Sequence, residues 1–251
     1  MRLPRVFGAI SRRLRLASMA ALRPLRLAIY ELPAYDHHRL SFAQEGEDLI
    51  LARMLEEQPP GTFVDVGAHH PQRFSNTYAL YLAGWRGVNI DATPGSMAAF
   101  RALRPDDVNV EAGVSEDGAS LTYYCFNEPA LNTFSAELAE SRDGLHSYRI
   151  IERRVLPTYR LETLLAEHLP AGRPVDVLTV DVEGLELQVL RSADWTRFHP
   201  AIVVVEIFGC DSVRSVLESP TAQFLGAHGY ELVAQTANTS FFRRHGALAG
   251  R

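Results

Sequence analysis

The sequence predicts an α/β domain with a mainly parallel sheet, helices on both faces and an antiparallel C-terminal edge strand. Three observations carry that expectation. Phe63-Val-Asp-Val-Gly-Ala-His-His70 and Val88-Asn-Ile-Asp91 are short apolar runs ending in an acid, as buried parallel strands read when they deliver a carboxylate to their C-terminal end. Helix-like segments separate these runs from each other and from two later ones, Val175–Val180 and Ala201–Ile207. Two β runs with no helix between them, Tyr230–Gln235 and Thr239–Arg243, then close the body as a hairpin.

In chain order, a helix is expected from near Gln44 to before Pro59-Pro60, with Glu47 and Asp48 as dipole partners in its first turn. After strand 63–66 and a polar turn, a helix from about Asn76 to Leu82 ends at Gly84. Strand 88–91 leads through Pro94 into helix 97–103. Residues 108–114 read as a strand broken at Gly113, and 121–126 as another. Residues 127–150 are irregular and polar, the composition of a lid, a substrate loop or a solvated excursion. A short strand at 154–157, helix 161–168, strand 175–180, helix 185–191, strand 201–207 and a helix near 213–225 complete the body.

The chain of 251 residues suits one substantial domain, here bounded at 35–246, with a basic arm at 1–34 and a tail at 247–251. Residues 1–30 hold seven arginines and no acid, which leaves 18 arginines against 30 acids in the rest. An acidic body argues against a nucleic-acid partner. The arm reads either as a loosely ordered tail or as a basic amphipathic helix in peripheral contact with an anionic membrane. No apolar run reaches the roughly 20 residues that span a bilayer, so a cytoplasmic location, with or without membrane association, is expected. Cys125 and Cys210 read as small buried hydrophobes in a reducing compartment. Oligomeric state is open, a dimer included.

Ligands of open α/β sheets bind beyond the carboxyl ends of the strands. A dinucleotide site would show G-x-G-x-x-G after the first strand, where this chain has Gly67-Ala-His-His-Pro71; a P-loop needs a lysine, and the chain has none. A ligand with ribose and adenine but no phosphate fits better, with close backbone approach at Gly67 and Asp91 accepting from ribose hydroxyls. S-adenosylmethionine meets that description.

The run Phe63–His70, with Ser75-Asn-Thr77, Gly84-Trp-Arg-Gly87, Asn89-Ile-Asp91, Pro94 and Val180-Asp-Val-Glu-Gly-Leu-Glu186, resembles the FkbM family of S-adenosylmethionine-dependent methyltransferases. The likeness runs from about Ser41 to Arg244. It implies a class I methyltransferase (Rossmann-like) fold, a seven-stranded sheet with its last strand antiparallel, and methyl transfer to a hydroxyl of a sugar or polyketide-like product. The family's first motif maps onto Asp65, Gly67 and Ala68, and its ribose acid onto Asp91 with Ala92 beside it. His70-Pro71 departs from the small residue or glycine that many members carry there.

Methylating a hydroxyl needs alignment and a group to take the proton. His69 and His70 stand at the cofactor edge, where either is a suitable base or a turn-bonding loop histidine. Asp181 and Glu183 end a strand at the same edge. They read as a general base, as ligands of a divalent metal ion that orients a diol, or as caps of the following helix. Gln44 could fold over the cofactor, Asn132, Thr133 and Ser135 could line an acceptor pocket, Glu206 reads as a core-edge salt bridge, and Trp85 as core. The expected activity is methyl transfer to a hydroxyl of a saccharide, glycolipid or secondary metabolite. The rivals are a metal-dependent hydrolase built on His69, His70, Asp181 and Glu183, and a non-catalytic scaffold.

Overall fold

The structure, a computed structural model, describes residues 39–170 and 172–247. The chain divides into a segment Met1–Leu40 and a compact unit Ser41–Arg251. The basic arm expected at 1–34 therefore lies outside the described residues, as does nearly all of the tail at 247–251.

Helix α1 (Glu47–Met54) precedes strand β1 (Thr62–Val66), helix α2 (Tyr78–Leu82), strand β2 (Arg86–Asp91), helix α3 (Met97–Leu103) and strand β3 (Val108–Glu111). Next come β4 (Gly113–Val114), β5 (Leu121–Phe126), α4 (Ala136–Arg142), β6 (Ile150–Leu156), β7 (Thr158–Tyr159) and α5 (Leu161–His168). The unit closes with β8 (Val177–Val180), α6 (Glu186–Arg191), β9 (Ile202–Glu206), α7 (Val213–Glu218), α8 (Pro220–Ala227), β10 (Tyr230–Gln235) and β11 (Thr239–Arg244).

Seven strands form one sheet in the order β10-β11-β9-β8-β1-β2-β3. The pairs β1–β2, β1–β8, β2–β3 and β8–β9 are parallel, whereas β11 runs antiparallel to both β9 and β10. The α/β class and the antiparallel last strand are as expected, with one difference in position. The antiparallel strand is inserted one place inside the edge, and β10 forms the edge itself. The short connection from β10 into β11 folds it back toward β9, where Phe241 and Phe242 pack in the core.

Alternation along the strands divides the core between the two faces of the sheet. Phe63, Val177, Ile202, Val204 and Phe241 pack with Leu51 and Leu55 on the α1 side, joined by Leu80 of α2. Val64, Val66, Leu178, Val180, Val203 and Val205 pack on the other side with α5, α6, α7 and α8. Both faces are covered, so β1 and β8 are buried along their whole length, as the strands of parallel sheets are.

The expected helix near 213–225 is two helices. Ser219 accepts from the Ala222 N–H, and Pro220 sits in the first turn of α8, a start signal that also ends α7. The irregular segment 127–150 contains α4, capped by Ser135, which accepts from the Leu138 N–H. The strand expected at 154–157 begins earlier, at Ile150, because it pairs antiparallel with β5 in a separate two-stranded ribbon. No helix among the described residues is long and apolar enough to cross a membrane.

Candidate active site

The strands β2, β1, β8 and β9 lie side by side, and a cleft of about 1160 Å³, open mouth included, runs along their carboxyl ends. Neighbouring strands stand about 4.8 Å apart, so the end of β2 and the end of β9 are separated by roughly 14 Å along this edge. Asp91 lines one end of the cleft, Gly67 the middle, and Asp181 and Glu206 the other end.

Gly67 is dictated by crowding. Its φ is +83°, and a Cβ there would stand 1.7 Å from the Asp181 backbone oxygen, so no side chain fits between β1 and β8 at this turn. Asp91 is buried and held on both oxygens: Oδ2 accepts from the His69 N–H at 2.9 Å, and Oδ1 from the Thr93 N–H at 2.8 Å. The turn after β1 and the turn after β2 are thus tied by one carboxylate, which retains lone pairs toward the cleft. Tyr123 Oη lies 2.8 Å from Thr93 Oγ1, and the Asn132 side chain accepts from the Phe126 N–H at 2.7 Å. Burial, with Asp91 nearby, raises the Tyr123 phenol, which stays protonated.

At the other end Asp181, Glu183 and Glu206 each place a carboxylate oxygen within 4.8 Å of the others. Glu183 has φ +57° and Gly184 φ +104°, a turn that swings the Glu183 carboxylate in beside Asp181. Arg142 Nη1 donates to Glu183 Oε2 at 2.6 Å, and Thr133 Oγ1 donates to the Glu183 carbonyl at 2.6 Å, so α4 is latched across the end of β8. The capping duty at this turn falls to Glu186, whose Oε1 accepts from the Gly184 N–H at 2.8 Å and the Val182 N–H at 3.2 Å. No backbone N–H among the described residues donates to the Asp181 or Glu183 side chain; Arg142 holds Glu183, and Asp181 faces the cleft.

Burial and mutual repulsion dominate the electrostatics here. Burial, then Glu183 and Glu186, push Asp181 upward, and burial followed by Asp181 and Glu183 push Glu206 upward. Burial raises Glu183 as well, opposed by Arg142. Asp181 and Glu206 thus each hold a proton more tightly than an ordinary carboxylate does.

The predicted site residues divide. Gln44, Gly67, His69, Asp91, Ala92, Asp181 and Glu183 line the cleft. Asp65, Ala68 and His70 do not. β1 continues through Val66, so Asp65 is still in strand and turns toward α2; its carboxylate accepts from Thr77 Oγ1 at 2.6 Å, deep in the protein. Ala68 is packed against Met97 and Phe100. His70 Nδ1 accepts from the Gln72 N–H at 3.1 Å and the Arg73 N–H at 3.0 Å, the turn-bonding arrangement rather than that of a base facing an acceptor. His69 is the histidine at the cleft. Burial, opposed by Asp91, lowers its pKa, and its buried Nε2 has no hydrogen-bond partner among the described residues.

Glu47 and Asp48 stand in the first turn of α1 and are in addition buried: Asp48 accepts from Ser41 Oγ and the Phe42 N–H, and Glu47 from the Glu45 N–H. Other expectations are corrected too. Glu206 makes no salt bridge among the described residues and belongs to the acidic cluster. Thr133 and Ser135 brace Glu183 and cap α4, so only Asn132 of that trio lines the cleft. The grouping of His69 and His70 with Asp181 and Glu183 that a metal-dependent hydrolase requires is not assembled; among the described residues the one metal-type cluster holds carboxylates alone. Trp85 is buried in the core. Sequence reasoning missed Thr93, Tyr123 and Arg142, which reach the cleft from segments with no distinguishing local pattern.

No curated protein matches the chain. Among solved structures, one that is similar to it is precorrin-6y C5,15-methyltransferase from Geobacter metallireducens, at 12% identity and a TM-score of 0.37, covering 78% of this chain and 84% of that one. The family model for the methyltransferase FkbM domain matches residues 65–232. That match runs from the end of β1 to the start of β10, with every strand end that lines the cleft, and the chain belongs to the FkbM family of S-adenosylmethionine-dependent methyltransferases.

Proposed function

We propose that the chain is an O-methyltransferase acting on a hydroxyl of a saccharide, glycolipid or secondary metabolite. One observation supports this above the rest: the cleft is chemically two-ended. Asp91, bound through its two oxygens to both adjoining turns, stands ready to accept from vicinal hydroxyls such as those of ribose. Gly67, whose turn lets β1 lie tight against β8, lines the cleft beside it. The bound cofactor supplies an electrophilic methyl on sulfur. At the far end Asp181 and Glu206 form a carboxylate pair of raised proton affinity.

An alcohol loses its proton as its oxygen attacks, and a carboxylate of raised proton affinity is a competent acceptor for that proton near neutral pH. Asp181 is the base in this reading, with Glu206 sharing its proton and Glu183 held by Arg142 as a fixed wall. The negative field of three carboxylates disfavours anionic acceptors and suits a neutral polyol, whose hydroxyls donate to carboxylates. His69, neutral at pH 7, offers Nε2 as an acceptor beside Asp91.

The test uses cofactor bearing an isotopically labelled methyl, a panel of neutral glycans and polyketide alcohols, and product analysis by NMR. The expected product carries the label as a methoxy group, and Asp181→Asn abolishes its formation. Label on nitrogen or carbon would overturn the reading. A second reading, a divalent ion on Asp181, Glu183 and Glu206, draws on the approach of their oxygens, a hard donor set suited to magnesium or manganese. It predicts a rise in melting temperature with Mg²⁺ or Mn²⁺ that Glu206→Gln removes. Proton sharing predicts no shift.

A further inference from the structure

We propose that the outer edge of β6 is a self-association edge, through which two copies of this chain pair antiparallel about a twofold axis at Arg153. β6 pairs with β5 on one side, and among the described residues no strand covers its other side. It is seven residues long, and Ile151, Glu152, Arg153, Arg154 and Val155 are all exposed. Val155 and Ile151, 72% and 67% exposed, are the two most exposed large apolar side chains among the described residues. Natural edge strands of this length are blunted by proline, lysine or inward charge. In β6 the first proline comes only after its end, at Pro157, and the irregularity in its pairing with β5 is confined to the Ile150 end.

The sequence Ile150-Ile-Glu-Arg-Arg-Val-Leu156 is complementary to itself read backwards. Laid antiparallel on a second copy about Arg153, it sets Ile150 opposite Leu156, Ile151 opposite Val155, and Glu152 opposite Arg154. Symmetry repeats each pair once, as an isologous contact requires. Cross-strand apolar pairs and opposite charges at facing positions are the units that stabilise an antiparallel ladder. Charges of one sign along an edge repel a second copy; here the facing positions Glu152 and Arg154 carry opposite signs. Glu152 already pairs with Arg154 of its own strand at 2.7 Å, so the dimer joins two ion pairs into one alternating group of four.

Arg153 would face its own symmetry mate. Its guanidinium lies over the Tyr124 ring, 5.6 Å from the centroid, which draws the charge back onto β5 and away from the axis. A single strand-to-strand contact is small, so the dimer is weak, with a dissociation constant on the order of micromolar. It also reaches the cleft mechanically. Tyr123, a cleft residue, stands directly opposite Arg154 in the ribbon, so pairing at β6 stiffens the strand that carries it.

Sedimentation velocity on the full chain across a concentration series tests this, with Glu152→Arg, Arg154→Glu and the double exchange E152R/R154E. Each single variant sets like charges opposite each other twice and should raise the dimer dissociation constant about tenfold or more. The double exchange restores every facing pair and should return it to the wild-type value. Mixing the two single variants should give a heterodimer tighter than either homodimer. Circular dichroism checks that each variant is folded. A wild type that stays monomeric throughout, or a dimer indifferent to these exchanges, overturns the proposal.

Discussion

Two groups of carboxylates stand against the strands of the one sheet and have opposite fates. On the α2 side of β1, Asp65 accepts from Thr77, and the fully buried Arg104 donates to Thr77 Oγ1 at 3.1 Å and, through Nε, to Asp107 at 2.8 Å. Asp107 in turn accepts from the Gly87 N–H and the Asn89 amide, so the cluster clamps β1, β2 and α2 together around one cation. The phenyl rings of Phe63 and Phe100 and the phenol of Tyr81 flank that guanidinium at 5.1–5.7 Å. At the end of β8, by contrast, three acids share one arginine, and that arginine binds only Glu183. The first group is hydrogen-bonded into the protein around Arg104, away from the cleft, and serves the fold. The second leaves Asp181 and Glu206 repelling each other beside open space, an arrangement that gives no stability and keeps proton-accepting groups at a cleft.

If that contrast is right, substitution should separate stability from activity. The largest effect is expected from Arg104→Met, which strands Asp107 beside Asp65 without a cation and should cost about 3–5 kcal/mol in denaturant unfolding. Next comes Asp65, which burial raises to about 6 against an ordinary 3.8, opposed by Thr77 and Arg104. A raised carboxylate contributes stability that is full below pH 3.8 and is lost as pH climbs through 6. Asp65→Asn should therefore remove a stability decline of up to about 3 kcal/mol across that window, read from unfolding midpoints at a series of pH values. Asp181→Asn inverts the pattern: kcat should fall about 100-fold or more while the protein stays as stable as wild type or gains, because a repelled carboxylate has gone. The smallest effect is expected at His70→Ala, which forfeits two turn hydrogen bonds, at about 1 kcal/mol, and leaves kcat close to wild type. A large kcat loss there would place the base in the turn and break the comparison.

Much of this was legible in the chain. An apolar run ending in an acid located the ends of β1, β2 and β8, and Gly67 and Asp91 lie at the cleft where that pattern put them. The assignment of Asp65 failed because a strand buried on both faces has no polar alternation, so nothing in Phe63–Val66 says which way the acid points. Glu206 carries the same strand-end signal as Asp181, and the pattern alone could have placed it in the cluster. The Ser219-Pro220 pair likewise marked the break between α7 and α8. Arg142, Thr93 and Tyr123 were not readable. Arg142 meets Glu183 across 41 residues, through a segment whose local composition resembles any polar loop. Long-range contacts of that kind depend on how the ribbon and α4 fold back over the sheet edge, which short-range spacing does not encode.

The two-ended cleft is the central claim, and calorimetric titration with S-adenosylhomocysteine tests it most directly. Wild type should bind saturably, Asp91→Ala should lose or greatly weaken that binding, and Asp181→Asn should bind as wild type does. Failure of folded wild type to bind, or undiminished binding by Asp91→Ala, would contradict the placement of the cofactor at the β1–β2 end.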